Sequence, residues 1–263
     1  MIGVTGTLEG RRAIVTGGAR GIGAAAARRF CEAGAQVVLA DRDQDGVSAA
    51  AAALRAAGFQ AHARAADVTD EAALGRVIDE AAELLGGLDL VLANAGVLTV
   101  NPLADLSLAE FEHTMRVNVF GTFLTFKHAL GHLKAAGGGA LLCTTSQAGV
   151  RGYREMSAYC ASKFAVVGLV ESLALELASD GIRVCAVAPG ITQTEMYREL
   201  VRERARLWRL DSEAAQARLQ ETIPLGRPAT PEEVADAFVY LASPAAAYVS
   251  GIALVIDGGE LSG

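Results

Sequence analysis

Thr16-Gly17-Gly18-Ala19-Arg20-Gly21-Ile22-Gly23 is the stretch that decides the fold of this chain. It directly follows the apolar run Ala13–Thr16 and leads into an alanine-rich segment of helical period, Gly23–Ala33. Glycines allow a tight turn and a close approach of the backbone to a pyrophosphate, which the positive end of the following helix then binds. A glycine-rich turn between a strand and a helix predicts a dinucleotide-binding α/β unit.

The same alternation of strand and helix continues along the chain. Apolar runs without polar alternation are typical of strands that are buried on both faces of a sheet. Such runs lie at Ala13–Thr16, Gln36–Ala40, Leu88–Ala93, Ala140–Thr144, Arg183–Val187 and Ile252–Ile256. Helical segments separate them, among them Gly23–Ala33, Gln44–Ala57, Glu71–Leu85 and Ala158–Ala178. The pattern predicts an α/β fold with a doubly wound parallel sheet, flanked by helices, in a single domain of residues 1–263.

One region, Thr192–Pro224, departs from this rhythm, because it is helical in character and has no apolar run of strand type. In a doubly wound sheet, segments beyond the carboxyl ends of the strands cover the ligand crevice. We therefore expect a mobile substrate lid over residues 192–224. Its basic residues have two possible roles. They favour an amphipathic lid with one solvent-exposed face, and a site for an acyl-carrier phosphate or a coenzyme A tail is the less favoured alternative. They are Arg198, Arg202, Arg204, Arg206 and Arg209.

Composition excludes several classes of function. The 263 residues are 52% hydrophobic, which predicts a large folded core and not a disordered chain. The net charge of −7 argues against nucleic-acid binding, which needs clustered cations. No apolar run approaches the roughly 20 residues that cross a bilayer, and the first residues do not resemble a secretory signal. We therefore expect no membrane partner and a cytoplasmic location.

The cysteine and histidine residues indicate no metal site. Each cysteine stands alone in the sequence, which predicts buried free thiols and not a disulfide framework. His128 and His132 share a helical face, but no third ligand accompanies them in that register. The cysteines are Cys31, Cys143, Cys160 and Cys185.

An acidic residue at the end of the second predicted strand bears on the cofactor. Asp41 follows Gly17 by 24 residues, where a carboxylate can accept both ribose hydroxyls of an adenosine and repel a 2′-phosphate. NAD is therefore favoured over NADP. Arg42 and Arg20 lie near enough in sequence to pair with such a phosphate, so NADP stays the less favoured alternative.

A second motif carries the chemistry. Tyr159 and Lys163 are four residues apart and share one face of a predicted helix. A free tyrosine has a pKa of about 10, and a neighbouring ammonium or a positively charged nicotinamide would favour the phenolate. Such a tyrosine suits proton exchange with an alcohol as hydride leaves the carbon.

Through these motifs the sequence resembles the short-chain dehydrogenase/reductase family over nearly its whole length. The order and spacing of the motifs agree with the family, including a serine thirteen residues before Tyr159. The resemblance implies a Rossmann-like domain with a seven-stranded parallel sheet. The matching residues are Thr16–Gly23, Asp67-Val68, Asn94-Ala95-Gly96, Asn118, Ser146, Tyr159–Lys163, Pro189-Gly190 and Thr194.

The resemblance also implies a role for each matching residue. Tyr159 would be the general acid/base, Ser146 would polarise the substrate oxygen, and Lys163 would lower the tyrosine pKa and bind the nicotinamide ribose. Asn118 would interrupt a helix and hold a water in a proton relay. The remaining matches would bind cofactor: Gly17, Arg20, Gly21, Ile22, Gly23, Asp67, Val68, Asn94, Ala95, Gly96, Pro189, Gly190, Ile191 and Thr194. For Asn94–Gly96 a purely structural role in the sheet is equally compatible with the sequence.

Candidate substrate contacts are Ser146, Gln147, Ala148, Tyr153 and Arg154. Gln147 and Tyr153 could bind hydroxyls of a polyol or sugar, and Arg154 could admit a carboxylate unless it is a solvated loop cation. The leading hypothesis is an NAD-dependent oxidoreductase that interconverts a secondary alcohol and a ketone. The alternatives are an NADPH-dependent 3-oxoacyl thioester reductase and a non-catalytic dinucleotide-binding regulator. The resemblance further implies a homotetramer built on helices around Glu110–Ala135 and Ala158–Ala178.

Overall fold

Seven strands form one parallel sheet in the computed structural model, which describes residues 6–262. They are β1 Arg12–Thr16, β2 Gln36–Asp41, β3 Ala61–Ala65, β4 Leu90–Ala93, β5 Gly139–Thr144, β6 Ile182–Pro189 and β7 Ala253–Ile256. Their order across the sheet is β3-β2-β1-β4-β5-β6-β7. The chain therefore turns back between β1 and β4, which is where ligands bind in doubly wound sheets. The predicted doubly wound parallel sheet is confirmed.

The six predicted strands agree with the observed ones to within two residues at either end. The strand that the apolar pattern missed is β3, whose sequence is Ala-His-Ala-Arg-Ala. It lies at the edge of the sheet and pairs only with β2, so His62 and Arg64 stay half-buried. An edge strand does not need the continuous apolar run of a strand that is buried on both faces.

Helices cover both faces of the sheet. They are α1 Gly21–Glu32, α2 Gln44–Ala56, α3 Glu71–Leu85, α4 Leu108–Met115, α5 Gly121–Ala135, α6 Ser157–Leu177, α7 Glu195–Trp208, α8 Ser212–Gln220 and α9 Pro231–Ala242. One core cluster lies beneath α1, α2 and α9, and contains Phe30 and Phe238. A second lies beneath α3, α5 and α6, and contains Ile78 and Val170. The two clusters hold the strands rigidly, so that their carboxyl ends form a fixed platform.

The longest of these helices, α6, corrects one expectation from the sequence. The segment Ser157–Asp180 is long and apolar enough to cross a membrane, by length and composition only. Within the fold, however, Val166, Val170 and Ala174 of this helix are buried in the core beneath the sheet. Its apolar composition is accounted for in part by this packing.

The long helix expected around Glu110–Ala135 is two helices with a π turn between them. The π turn spans Arg116–Phe120 and joins the end of α4 to the start of α5. Asn118 lies at its centre and is 1% exposed. The extra residue of a π turn rotates the side chains that follow, and such turns are frequent at functional sites.

The region expected as a lid, residues 192–224, contains α7 and α8, which pack on each other. Val201 and Leu219 are buried between them. Leu200 and Leu207 contact the cluster that contains Met156 and Tyr159. This region is therefore amphipathic, with its apolar side against the helix that carries the predicted acid/base, and its role as a lid stays a prediction.

Candidate active site

A large cavity of about 1130 Å³ opens at the carboxyl ends of the strands. Every cofactor, catalytic and substrate residue predicted from the sequence, apart from Gly23 and Asn118, lines it. The glycine-rich loop after β1 forms one side of this cavity. The start of α6, with Tyr159 and Lys163, forms another.

The glycine-rich loop packs against neighbouring backbone too closely for side chains. A Cβ on Gly17 would lie 2.8 Å from the backbone nitrogen of Ala95, and the φ of Gly17 is +66°. A Cβ on Gly23 would lie 2.1 Å from the carbonyl oxygen of Gly17. Gly23 does not line the cavity but lets α1 approach the loop. These glycines are therefore required by packing, in the way that a dinucleotide loop needs them.

The amino end of α1 differs from those of its neighbours. Asp43 caps α2 and Asp70 caps α3, each by accepting a backbone N–H, whereas Arg20 provides no side-chain cap for α1. The first backbone N–H groups of an uncapped helix need another acceptor, and an anionic group satisfies them well. The loop and helix therefore fit the pyrophosphate of a dinucleotide.

Asp41 lies at the end of β2 beside this loop. Its Oδ2 accepts a hydrogen bond from the backbone N–H of Ala19 at 3.1 Å, and its Oδ1 accepts one from Asp43 at 3.0 Å. These bonds fix the carboxylate at the edge of the cavity while leaving acceptor capacity on both oxygens. Arg20 forms ion pairs with Glu195 at 3.2 Å and with Asp43 at 3.8 Å, and Arg42 is exposed.

Asp67 and Val68 line the cavity beyond β3. Asp67 accepts hydrogen bonds from the backbone and side chain of Thr69, and these bonds hold the pKa of its carboxyl below the usual range. Val68 is 7% exposed and packs against Gly121 at the start of α5, where a Cβ would lie 2.7 Å from it. The pair presents one polar and one apolar surface to the cavity.

Asn94 ties three strand ends together. Its Nδ2 donates to the carbonyl of Gly17 at 3.1 Å, its Oδ1 accepts from Thr144 at 2.9 Å, and its backbone N–H donates to Thr16 Oγ1 at 3.2 Å. Because these bonds link β1, β4 and β5, the side chain has a structural role in the sheet. Ala95 and Gly96 extend from it along the cavity wall.

Ser146, Tyr159 and Lys163 converge at the inner end of the cavity. Ser146 lies near enough to the phenol of Tyr159 to lower its pKa, its Oγ accepts the backbone N–H of Ala148 at 3.1 Å, and its hydroxyl donates to the carbonyl of Pro189 at 3.5 Å. The Lys163 Nζ donates to the carbonyl of Thr144 at 2.9 Å and lies 5.6 Å from the centroid of the Tyr159 ring. Tyr159 and Lys163 are only 7% and 4% exposed, so this arrangement is shielded from water.

The pKa of Tyr159 moves in the direction opposite to the one predicted from the sequence. Burial raises it to about 12, and the hydrogen bond from Ser146 offsets only part of that rise. Burial also lowers the pKa of Lys163 to about 8, so its amine is still mostly protonated at neutral pH. Desolvation disfavours the charged form of both groups, and it is the largest cause of the shift in each pKa.

Asn118 holds the π turn to the segment that follows β4. Its Oδ1 accepts the N–H of Val97 at 2.8 Å, while its Nδ2 donates to the carbonyl of Val97 at 3.0 Å and to Ser162 Oγ at 2.9 Å. Both amide hydrogens are therefore used within the protein. A role in proton transfer would have to run through its main chain.

The residues after β6 join the site to the lid. A Cβ on Gly190 would lie 2.8 Å from the Cα of Asp257, so the segment Pro189–Gly190 packs tightly on the C-terminal turn. Thr194 caps α7 by accepting the N–H of Tyr197 at 3.3 Å, and its methyl group lies near Gly21. Ile191 packs against the lid, so this segment connects the glycine-rich loop with α7.

The predicted substrate residues line the same cavity as the phenol of Tyr159. Gln147 is 7% exposed and Ala148 is 2% exposed, whereas Arg154 is exposed at the mouth of the cavity. Arg154 forms no ion pair within residues 6–262. Its carbonyl accepts a hydrogen bond from Arg204, at 2.8 Å. Arg204 also pairs with Glu155, which links the lid to the loop before α6.

Sequence reasoning missed Glu260, which enters the cavity from the C-terminal turn. Its Oε1 accepts from the Tyr153 hydroxyl at 3.5 Å, and burial raises the pKa of its carboxyl. No local motif marks this residue, because it reaches the site only when β7 takes its place beside β6.

No group of three or more His, Cys, Asp or Glu side chains is placed to hold a metal ion in the part of the chain that the structure describes. His132 pairs instead with Asp79 and His128 with Glu71, both on α3. The four cysteines are buried and free.

Comparison with known proteins adds to this geometry. A family model described as enoyl-(acyl carrier protein) reductase matches residues 17–260. A cis-4-hydroxycyclohexanecarboxylate dehydrogenase of Sinomonas cyclohexanicum is 42% identical over 250 residues, which are 95% of this chain and 96% of the relative. A D-threitol dehydrogenase of Mycolicibacterium smegmatis is 38% identical, over 96% of this chain and 93% of the relative.

A crystal structure of a short-chain type dehydrogenase/reductase from Mycobacterium marinum superposes with a TM-score of 0.87 at 38% identity, and the match covers 96% of each chain. The similarity therefore extends over the sheet, the cavity and the lid together, and not over the glycine-rich half alone.

Proposed function

The chain belongs to the short-chain dehydrogenase/reductase family and acts on CH–OH groups with a nicotinamide dinucleotide, and on that premise we propose that it is an NAD-dependent dehydrogenase of a secondary alcohol. The observation that carries the proposal is the convergence of Ser146, Tyr159 and Lys163 at the inner end of one cavity. The glycine-rich loop and the uncapped end of α1 line that same cavity or border it.

The chain's own residues supply proton transfer and orientation. The dinucleotide, when bound, supplies the hydride acceptor for alcohol oxidation or the hydride donor for ketone reduction. We assign to the Tyr159 hydroxyl oxygen the proton that leaves the alcohol, because it is the titratable oxygen beside Ser146. Ser146 orients the reacting oxygen, and its own hydroxyl is held by the N–H of Ala148. The Lys163 amine adds positive charge beneath the ring.

A tyrosine with a pKa of about 12 is almost fully protonated at neutral pH, and only its phenolate can accept the alcohol proton, so oxidation needs further positive charge that favours the phenolate. Lys163 is one source, since an amine with a pKa of about 8 is mostly charged at pH 7. The oxidised nicotinamide ring would be the other. Asn118 supports this arrangement by positioning Val97 and Ser162, and any relay to water would pass its main chain.

Asp41 supports NAD as the cofactor. Its carboxylate is fixed at the end of β2, where it would accept ribose hydroxyls and repel a 2′-phosphate. Of the two arginines that could favour NADP, Arg20 is already paired with Glu195 and Asp43. Asp67 and Val68 would contact the adenine, and Ile191 and Thr194 the carboxamide.

We propose a polyol, sugar or cyclic alcohol as the substrate. The relatives named for a hydroxycyclohexane acid and for a tetritol support this class. The polar residues Gln147 and Tyr153 beside the apolar side of the lid suit a compact ring or chain that carries hydroxyl groups. An acyl-carrier substrate is less well supported, since Arg204 is buried against Glu155 and Arg206 pairs with Glu203.

We also propose a homotetramer in the cytoplasm. The helices α5 and α6 expose Phe123, Phe164 and Leu175, and the π turn between α4 and α5 exposes Phe120. A second copy of the same chain would cover such apolar faces. Free buried thiols are typical of a reducing compartment. Sedimentation equilibrium tests the assembly, and a monomer at all concentrations would contradict it.

The function is tested by following absorbance at 340 nm with NAD or NADP and a panel of cyclic alcohols, polyols and sugars. We expect reduction of NAD with at least one member. Turnover with NADP alone would overturn the cofactor assignment. Dinucleotide binding without turnover of any alcohol or ketone would favour the regulator alternative.

A further inference from the structure

Three polar side chains from distant parts of the sequence meet in the cavity beside the reacting end. Gln147 comes from the turn after β5, Tyr153 from the loop before α6, and Glu260 from the C-terminal turn. The Tyr153 hydroxyl donates to Glu260 Oε1 at 3.5 Å. Gln147 and Thr222 also lie near enough to offset part of the effect of burial on the Glu260 carboxyl.

Two acceptor atoms of this cluster are buried without a hydrogen-bond partner in residues 6–262: Gln147 Oε1 and Glu260 Oε2. The Gln147 side chain is more than nine-tenths buried, so bulk water does not compensate it. A buried acceptor that lacks a donor lowers stability, and such atoms in a native protein call for an explanation. Both atoms belong to residues that line the cavity, so a ligand bound there would lie beside these side chains.

Glu260 lies in a turn whose backbone is fixed by hydrogen bonds to Asp257. Asp257 accepts the backbone N–H groups of Gly259 at 2.9 Å and of Leu261 at 2.8 Å. A Cβ on Gly258 would lie 2.8 Å from Ile223, so the turn packs directly on the end of the lid. The backbone of this turn therefore fixes the position from which the Glu260 carboxylate enters the cavity.

We infer that Gln147, Tyr153 and Glu260 form a subsite for a second hydroxyl group of the substrate, so that the preferred substrates are diols or polyols. The inference rests on the proposed alcohol dehydrogenase function and narrows it. Each unpartnered acceptor requires a donor, and a substrate hydroxyl can donate to one of them, whereas a ketone, an ether or a carboxylate has no donor. The Glu260 carboxylate also repels a substrate carboxylate at this point.

The subsite is tested with pairs of substrates that share one ring. The ratio of kcat/KM for the best cyclohexanediol, among the 1,2-, 1,3- and 1,4-isomers, to that for cyclohexanol measures the second hydroxyl directly. We expect a ratio of about 10 to 100 for the unaltered protein, which is the size of a hydrogen bond to a charged group. Glu260→Leu should bring the ratio close to one, and the nearly isosteric Glu260→Gln should lower it about fivefold.

Glu213→Gln is the matched control, because Glu213 lies on the lid helix α8 outside the cavity. It should leave the ratio unchanged. A ratio that neither Glu260 variant alters, with unchanged melting temperature, overturns the subsite and leaves the dehydrogenase function intact. Preference for 4-hydroxycyclohexanecarboxylate over every diol also overturns it. Absence of turnover with every alcohol overturns the proposed function, and the subsite with it.

Discussion

The two ends of the same parallel sheet differ in how completely their polar groups are paired. At the amino ends of β1 and β4, Asp89 accepts three hydrogen bonds from Arg12, at 2.8, 2.9 and 3.0 Å. The Arg12 guanidinium also donates to the carbonyl of Gly86. At the carboxyl ends, α1 has no side-chain cap, and Gln147 Oε1 and Glu260 Oε2 lack partners.

This difference shows where binding free energy is available. A polar group that is satisfied inside the protein contributes to folding, but it offers little to a ligand. A buried group without a partner costs stability until a ligand supplies the missing atom. The amino end of the sheet thus stabilises the fold, and the carboxyl end accepts a cofactor and a substrate. Substitutions at the two ends should separate stability from activity.

The largest effect is expected from Tyr159→Phe at the carboxyl end. Loss of the hydroxyl that exchanges the proton should lower kcat by about 10²- to 10⁴-fold, the usual contribution of a general acid/base. NADH binding, followed by fluorescence titration, should stay close to that of the unaltered protein. Tyr248→Phe is the control, because Tyr248 is fully exposed. Retention of more than about a tenth of kcat would contradict the assignment.

At the amino end, Asp89→Asn should cost about 2 kcal/mol of unfolding free energy, because it weakens hydrogen bonds between charged groups. Burial alone would raise the pKa of Asp89, but the hydrogen bonds and charge of Arg12 lower it on balance. The stabilisation is therefore present above the unfolded pKa of about 3.9 and is lost as pH falls through the lower folded pKa.

Denaturant titrations should accordingly show the difference between Asp89→Asn and the unaltered protein at pH 7, and a smaller difference below about pH 4. Turnover per folded molecule should not change. Asp105→Asn, on an exposed loop, is the control. A variant of equal stability but reduced kcat would show that the two ends are not separate in the way that we infer.

The features that the sequence could predict are those that local sequence patterns determine. The buried strands, the glycine-rich loop and the Tyr159–Lys163 spacing are local patterns, and each predicts its element without knowledge of the rest. β3 was missed because an edge strand carries His62 and Arg64 in place of a continuous apolar run. Helix α6 shows the converse, since apolar length alone cannot distinguish a core helix from a spanning one.

Long-range packing decides what the sequence could not show. Glu260 joins Gln147 across the cavity only because β7 pairs with β6. The rise of the Tyr159 pKa follows from burial, which spacing along a helix does not reveal. Asn118 shows both what a local motif predicts and what only the folded chain reveals. Its position was marked by a motif, but the hydrogen bonds to Val97 and Ser162 are visible only in the folded chain.

A smaller effect is expected from Asp41→Ala at the carboxyl end of β2. The ratio of kcat/KM with NAD to that with NADP should fall about tenfold, since one charged hydrogen-bond acceptor for the ribose is lost. Asp41→Asn tests the charge with less disturbance of the bond to Ala19. Asp45→Asn, on the exposed face of α2, is the control. An unchanged ratio in both Asp41 variants would place the discriminating group elsewhere.

The smallest effect is expected from Glu195→Gln, which releases Arg20 from its shorter ion pair, 3.2 Å, and leaves the 3.8 Å contact with Asp43. Both side chains are more than half exposed, so unfolding free energy should change by less than about 0.5 kcal/mol. The freed guanidinium can pair with a 2′-phosphate, so relative activity with NADP should rise about twofold at low salt and less at high salt.

Glu203→Gln is the matched control for this last change, because it breaks another exposed lid pair, with Arg206, away from the glycine-rich loop. If Glu195→Gln alters the cofactor ratio and Glu203→Gln does not, the lid contributes to cofactor choice through Arg20. If neither variant alters it at low salt, Arg20 does not reach the phosphate position, and discrimination rests on Asp41 alone. Either result shows whether the lid takes part in cofactor choice or whether the carboxyl end of the sheet decides it alone.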